Sequence, residues 1–273
     1  MEISKISFFE HFLLKKFPKI KEQISFDFFK YKYVKVKINN KLLMVWQLDR
    51  FDFDISYINK IYFLDKLNQK EETIFKKNNI NTLKNNINTL KFIYEVKDNN
   101  MNNLTSYGFY KKDANIIMTL NLKGKKFPLK HDNVSFRQFI KGKDDRLRCD
   151  IQNEVFYETD RIPLSPRDIA YEYNKNFFIE DMAKFITLNG EDIGYGQVLI
   201  LDGNYTIANL GILKKYQGKG YGKELLSYIL NLACENNLSE ISIRVKESNE
   251  IAYNMYKKFG FKEISKIDSY EIL

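Results

Sequence analysis

The pattern of apolar and polar positions in this chain is mostly that of β-strands, with a few stretches at helical spacing. Ser7 to Phe17 reads as an amphipathic helix. Ser7 and Glu10 form a capping box there, and Phe9, Phe12 and Leu13 make its buried stripe. Tyr31–Ile38 and Lys41–Leu48 alternate with period two and are joined by Asn39-Asn40, which predicts a hairpin. Asp49–Leu67 is mixed, with a further strand expected near Ile61-Tyr62-Phe63. Residues 78–91 contain N-N-I-N-T-L-K twice, with Ile80, Leu83, Ile87 and Leu90 at 3-4-3 spacing. The first copy is expected to end a helix, and the second to lead into a strand over 90–96. Asp113–Leu122 reads as the last strand of this half.

Residues 123–133 hold Gly124, Pro128 and several lysines, and read as a linker. The expected domains are therefore 1–122 and 134–273. Beyond the linker the pattern is denser. Val134–Phe139 is expected as a strand, and Asp144–Phe156 and Pro166–Tyr173 as helices. Ser165 caps the second helix and Pro166 takes its first position. Met182–Leu188 and Ile193–Leu201 are strands joined at Asn189-Gly190, and Asp202-Gly203 turns the chain into a central strand, Tyr205–Ile212. A helix then runs to about Glu235. It is succeeded by a strand at Ile241–Val245 and a helix at Asn249–Phe259, which Gly260 closes. Phe261 and the end of the chain are expected to supply edge strands.

Composition narrows the class. Apolar residues make up 44% of the 273, enough for a packed core. The start of the chain lacks the basic and apolar pattern of a signal peptide, and no run of about 18 apolar residues suggests a membrane span. Two cysteines, Cys149 and Cys234, and two histidines, His11 and His131, show no metal-ligand spacing, so no metal is expected. A cytoplasmic location is the simplest expectation. The net charge of +9 is carried by residues 1–133. Their lysines are spread along the predicted elements rather than clustered, so a solvated surface is expected there and nucleic acid is not.

The stretch with the most chemistry is L-G-I-L-K-K-Y-Q-G-K-G-Y-G-K, residues 210–223: the end of a strand, a glycine-rich turn and the start of a helix. Glycines allow a tight turn and close approach of the main chain to a ligand. The first N–H groups of a helix lack internal partners, and the helix dipole favours an anion there. A phosphate or pyrophosphate is the expected occupant. Lys215, Lys219 and Lys223 bring charge to it. Neither the Walker pattern nor the dinucleotide fingerprint is met.

The order β-α-α-β-β-β-α-β-α-β, with Gln217, Gly220 and Gly222 spaced as Q-x-x-G-x-G after the fourth strand, resembles the GNAT superfamily of N-acetyltransferases. The resemblance covers about residues 134–273. A second motif, N-x-x-A-x-x-x-Y-x-x-x-G-F, is carried by Asn249, Ala252, Tyr256, Gly260 and Phe261. The resemblance implies an α/β fold with a mixed sheet and acetyl-CoA as cosubstrate. The pyrophosphate would lie on Gln217, Gly218, Lys219, Gly220, Tyr221, Gly222 and Lys223. Leu210, Gly211 and Ile212 would pair with the pantetheine arm, and Asn249 would bond to it. Tyr256 would protonate the departing thiolate. A primary amine, on a small molecule or a peptide, would be the acceptor. The central strand carries no carboxylate, which leaves the base unassigned between such candidates as Asp202 and Glu154.

The first half echoes the second. V-K-D-N-N at 96–100 parallels V-K-E-S-N at 245–249, and Tyr107-Gly108-Phe109 parallels Phe259-Gly260-Phe261. A tandem arrangement with a degenerate first copy is expected. No glycine precedes Gly108, so that copy has no pyrophosphate turn. An aminoacyl-tRNA-dependent transferase of related fold, and a non-enzymatic acyl-CoA-binding module, remain as alternatives. The acceptor's identity and the oligomeric state are not encoded in any motif.

Overall fold

The computed structural model describes residues 2–7, 10, 31–38, 40–50, 55–65, 67–70, 72–73, 84–85, 91–97, 104–158 and 162–272. The chain divides into two units: 1–115 with 266–273, and 116–265.

In the first unit the predicted hairpin forms. Strands β1 (Glu2–Lys5), β2 (Lys32–Ile38), β3 (Lys41–Arg50) and β4 (Ile55–Phe63) pair antiparallel in that order. Asn40 takes a left-handed φ of 64°, which asparagine tolerates. A two-residue strand, β5 (Lys84–Asn85), runs parallel to β1, and β6 (Lys91–Lys97) runs parallel to β4. The core is aromatic: Trp46 is fully buried, with Phe92 and Phe109 at 5.2 and 5.5 Å between ring centroids. The proposed helix at 7–17 lies largely outside the described residues, although Glu10 N donates to Ser7 Oγ at 3.1 Å as the capping box requires. The helix expected in the first half of the 78–91 repeat also lies outside them.

The last strand corrects one expectation. Strand β13 (Lys262–Ile272) is not an edge. In the first unit its residues 267–272 pair antiparallel with β6, and β7 (Tyr110–Asn121) is next to it in the sheet. Ile267 and Ile272 are buried, and Glu271 forms a buried pair with Lys91 at 3.0 Å, also accepting from Tyr110 Oη at 2.9 Å. Alternation alone does not distinguish a strand with one neighbour from a strand with two.

The second unit is built round five strands of its own. Strands β8 (Val134–Gln138), β9 (Phe178–Leu188), β10 (Glu191–Leu201) and β11 (Asn204–Ile212) pair antiparallel, and β12 (Glu240–Lys246) runs parallel to β11. Both hairpin tips have two successive left-handed residues, Asn189-Gly190 and Asp202-Gly203, as a type I′ turn demands. Helices α1 (Asp145–Val155) and α2 (Pro166–Tyr173) cover one face over Phe139, Phe185 and Tyr195. Helices α3 (Tyr221–Glu235) and α4 (Glu250–Phe259) cover the other. Helix α3 buries Leu225, Leu226, Ile229, Leu230 and Ala233, and each large side chain there contributes roughly 1.5–3 kcal/mol. Residues 123–133, read as a linker, lie within this unit as a strap along α3. Phe127 N and O bond the Asn231 amide at 3.0 and 2.7 Å, and Lys130 N and His131 N donate to Glu224 Oε1 at 2.7 and 3.1 Å. Among the described residues no helix is long and apolar enough to cross a membrane.

Candidate active site

The central strand β11 determines the site through three features. The first is a bulge. Opposite β10, Gly211 pairs with Tyr195 and Ala208 with Gln197, so β11 carries one extra residue there. Asn209 absorbs it with a φ of 56°. The second is a parting of strands. The parallel register with β12 covers Thr206↔Ser242 and Ile207↔Ile243 and then stops, while β11 continues to Ile212 and β12 to Lys246. The main chain of Leu210, Gly211 and Ile212 therefore borders an opening, where an extended amide-bearing ligand finds backbone partners.

The third is the foot of the strand. After Ile212 the chain makes one 3₁₀ turn at Lys214–Tyr216 and reaches the glycines. Gly218 and Gly220 have φ of 76° and 92°, the left-handed region that favours glycine. Gly220 caps α3 without a side chain. Its carbonyl accepts from Lys223 N and Glu224 N at 3.0 and 3.2 Å. Among the described residues the N–H groups of Gly218, Lys219, Gly220, Tyr221 and Gly222 have no protein acceptor. They form a row of donors at a helix N-terminus, a seat for an anion.

Other candidate residues take distinct places. Gln217 braces the turn, its Nε2 donating to Ile212 O at 2.8 Å. Lys215 is committed to Glu191 at 2.6 Å, and this hydrogen bond raises its pKa. Lys219 and Lys223 have no ion-pair partner among the described residues; Lys219 Nζ lies over the Tyr216 ring, 5.8 Å from its centroid. Asn249 caps α4, its Oδ1 accepting from Ala252 N at 3.1 Å, which leaves its amide donors for a ligand. Tyr256 is 5% exposed and belongs to the cluster that holds Ile212 and Tyr221. Burial pushes its phenol up to about 12, so it is neutral and able to donate at any ordinary pH. Among the described residues that phenol has no hydrogen-bond partner.

The two base candidates are at opposite ends of β11. Asp202 sits in the hairpin before the strand; at ~3.3 Å per residue it is roughly 26 Å from Leu210. Glu154, on the last turn of α1, accepts from Lys214 N at 2.9 Å, at the end where the turn begins. Three further residues escaped the sequence reading. Val155 packs against Gly211 so closely that a Cβ there would lie 2.2 Å from its Cγ1. His131 lies over the turn, its Nε2 2.9 Å from where a Cβ on Gly220 would be. Asn209 makes the bulge, and an asparagine inside a β-branched strand was the available signal. Among the described residues no group of three His, Cys, Asp or Glu side chains is placed to hold a metal ion.

The arrangement suits a pyrophosphate at one end of an opening between parallel strands and holds a neutral phenol in the helix after the second strand. Comparison with known proteins bears on the family and the fold. The profile of the Acetyltransferase (GNAT) family matches residues 149–261. An N-alpha-acetyltransferase of Sulfurisphaera tokodaii is 26% identical over 157 residues, covering 50% of this chain and 92% of that protein. A [Ribosomal protein bS18]-alanine N-acetyltransferase of Haemophilus influenzae is 33% identical over 76 residues, covering 28% of this chain and 51% of that protein. In fold, a GCN5-related N-acetyltransferase from Sphaerobacter thermophilus is similar at a TM-score of 0.58 and 12% identity, over 93% of this chain and 84% of that one. A tandem GNAT protein from the clavulanic acid biosynthesis pathway is similar at 0.51 and 11% identity, over 89% and 82%. Residues 149–261 of this chain therefore form a domain that matches the Acetyltransferase (GNAT) family.

Proposed function

We propose that the chain moves the acetyl group of acetyl-CoA to a primary amine by direct attack. The pyrophosphate sits on the N–H groups of Gly218 to Gly222, with Lys219 and Lys223 beside it. The pantetheine arm lies in the opening between β11 and β12, against Leu210 to Ile212 and Asn249. The neutral amine attacks the thioester carbon, and main-chain N–H groups of β11 hold the oxyanion. The C–S bond breaks and Tyr256 protonates the thiolate. The proton lost by the new amide nitrogen equals the one the phenol gave up, so the cycle closes.

The observation that carries this reading is the run of five unpartnered N–H groups at the foot of a strand end that has parted from β12. The names of the relatives make a polypeptide α-amine the first acceptor to test, before small amines. Cys149 and Cys234 are free, and a cytoplasmic setting is part of the same reading. We also read the first unit as a degenerate copy of the second. Its four antiparallel strands and one parallel neighbour are in the same order.

The test is thiol release from acetyl-CoA with a panel of peptides that differ in their first residue, against polyamines and free amino acids. Turnover with unblocked peptides, lost on N-terminal blocking, supports the full reading. Turnover with small amines alone keeps the reaction and overturns the peptide acceptor. Failure to bind acetyl-CoA at millimolar concentration overturns the cofactor assignment.

A further inference from the structure

The strap at 123–133 has no role in the reaction described above, yet it walls a cavity of about 300 Å³ in the second unit. Phe127, Pro128 and Lys130 line it from the strap, Lys223, Glu224 and Ser227 from α3, and Lys258 and Phe259 from α4. The Phe127 and Phe259 rings are stacked, 6.2 Å apart and 20° from parallel. Lys130, Lys223 and Lys258 are exposed, and none has an ion-pair partner among the described residues. The one carboxylate in the wall, Glu224, is buried, and its Oε1 is taken up by Lys130 N and His131 N. The cavity is therefore lined by three lysines without an ion-pair partner among the described residues, a serine and two stacked aromatic rings. It adjoins the glycine turn: Lys223 and Glu224 are in the first turn of α3, and His131 reaches back over Gly220.

Three cations round a small cavity suit a phosphomonoester dianion better than the singly charged oxygens of a diester. A flat apolar wall beside them suits a purine. Coenzyme A has both, a purine and a 3′-phosphate, a short distance beyond its pyrophosphate. We infer that this cavity is a phosphomonoester subsite for the 3′-phosphate of coenzyme A, built in part by a strap that precedes the family-matched residues. The inference rests on the cofactor reading above. Lys130 and Lys258 are the residues that distinguish coenzyme A from its 3′-dephospho form, whereas the glycine turn binds the pyrophosphate common to both.

The experiment is calorimetric titration of the full chain with coenzyme A and with 3′-dephospho-coenzyme A, repeated on a Lys130→Ala/Lys258→Ala double variant. Both lysines are exposed, so the variant keeps its fold, which its melting curve checks. Wild type should bind coenzyme A about tenfold or more tightly than the dephospho form. The double variant should lose that preference while its affinity for the dephospho form is unchanged. Raising the salt should shrink the wild-type preference, because the groups are exposed. Equal affinities in wild type, or a preference that survives in the double variant, overturn this subsite and leave the cofactor reading standing. If neither nucleotide binds, both readings fall together.

Discussion

The two units each contain one parallel strand pair that opens, and they differ in the chain beyond the opening. In the first, the β4/β6 register ends at Ile58↔Tyr94 and β4 runs on for five residues to Phe63. In the second, the β11/β12 register ends at Ile207↔Ile243 and β11 runs on for five to Ile212. Both strands carry a bulge just past that point, between Ile58 and Lys60 in β4 and between Ala208 and Gly211 in β11. The openings are alike, but the strand ends are not. After Phe63 the N–H groups of Leu64 and Asp65 both turn back to Leu43 O, at 2.9 and 3.4 Å, and no glycine is near. After Ile212 the chain leaves five N–H groups unpartnered. A splayed parallel pair is thus common to both units, and the row of unpartnered donors comes from a few glycines added below one of them.

The largest expected effect strikes the first unit alone. Ending the chain at Ser265 removes Ile267 and Ile272 from its core and leaves Lys91, 7% exposed, without Glu271. Leaving one partner of a buried pair costs about 3–5 kcal/mol. Two unfolding transitions should appear, the lower one shifted by the truncation and the higher one still raised by acetyl-CoA. One unchanged transition would show that β13 does not matter to the first unit.

Next, Gly220→Glu should make the second foot as inert as the first. A carboxylate would enter the donor row, and a Cβ would meet His131 at a φ of 92°. Acetyl-CoA affinity should fall at least about a hundredfold, or ~2.7 kcal/mol, with the β-rich circular dichroism retained. Unchanged affinity would remove the pyrophosphate from this turn.

Tyr256→Phe separates binding from chemistry. The acetyl-CoA dissociation constant should stay constant while kcat drops about a hundredfold. The phenol also has a pH signature. Its folded pKa of about 12 exceeds the unfolded value of about 10, so its contribution to stability is complete below pH 10 and is lost between pH 10 and 12. Wild type should lose stability over that window by more than Tyr256→Phe does. Parallel alkaline curves would mean that the phenol is not held in its buried site.

Much of this was legible in the sequence, because period and turn chemistry are local. Asn189-Gly190 and Asp202-Gly203 announced their hairpins, and Pro166 and Gly260 marked helix ends that the structure reproduces. The glycine turn was legible for the same reason: φ, helix start and donor row are all determined within ten residues. What the sequence did not reveal depends on partners distant along the chain. Tyr110 and Glu271 are 161 residues apart, and the pairs Ile267 with Lys97 and Ile272 with Phe92, which place β13 in the sheet, are farther still. The strap at 123–133 looked like a linker because lysines, Gly124 and Pro128 describe an exposed chain. Its anchors, Asn231 and Glu224, are on α3 and are found only by folding.

The smallest effect tests whether α1 fixes the shape of β11 at the opening. Gly211 has no room for a side chain, since Val155 Cγ1 would stand 2.2 Å from a Cβ. Gly211→Ala should therefore cost about 1–3 kcal/mol, the usual range for overpacking. The cost should be lower in a Val155→Ala background, where two of the three crowding atoms are gone, so the pair should couple by roughly 0.5–3 kcal/mol. The first unit offers the control. Ile61 and Tyr62 occupy β4 beyond its bulge with full side chains and are buried. If Gly211→Ala were neutral alone, the strand could move away from α1 freely, and the glycine would be no more required there than in β4. Strong coupling would instead show that α1 presses on the strand end proposed to meet the pantetheine, a constraint that belongs to the second unit.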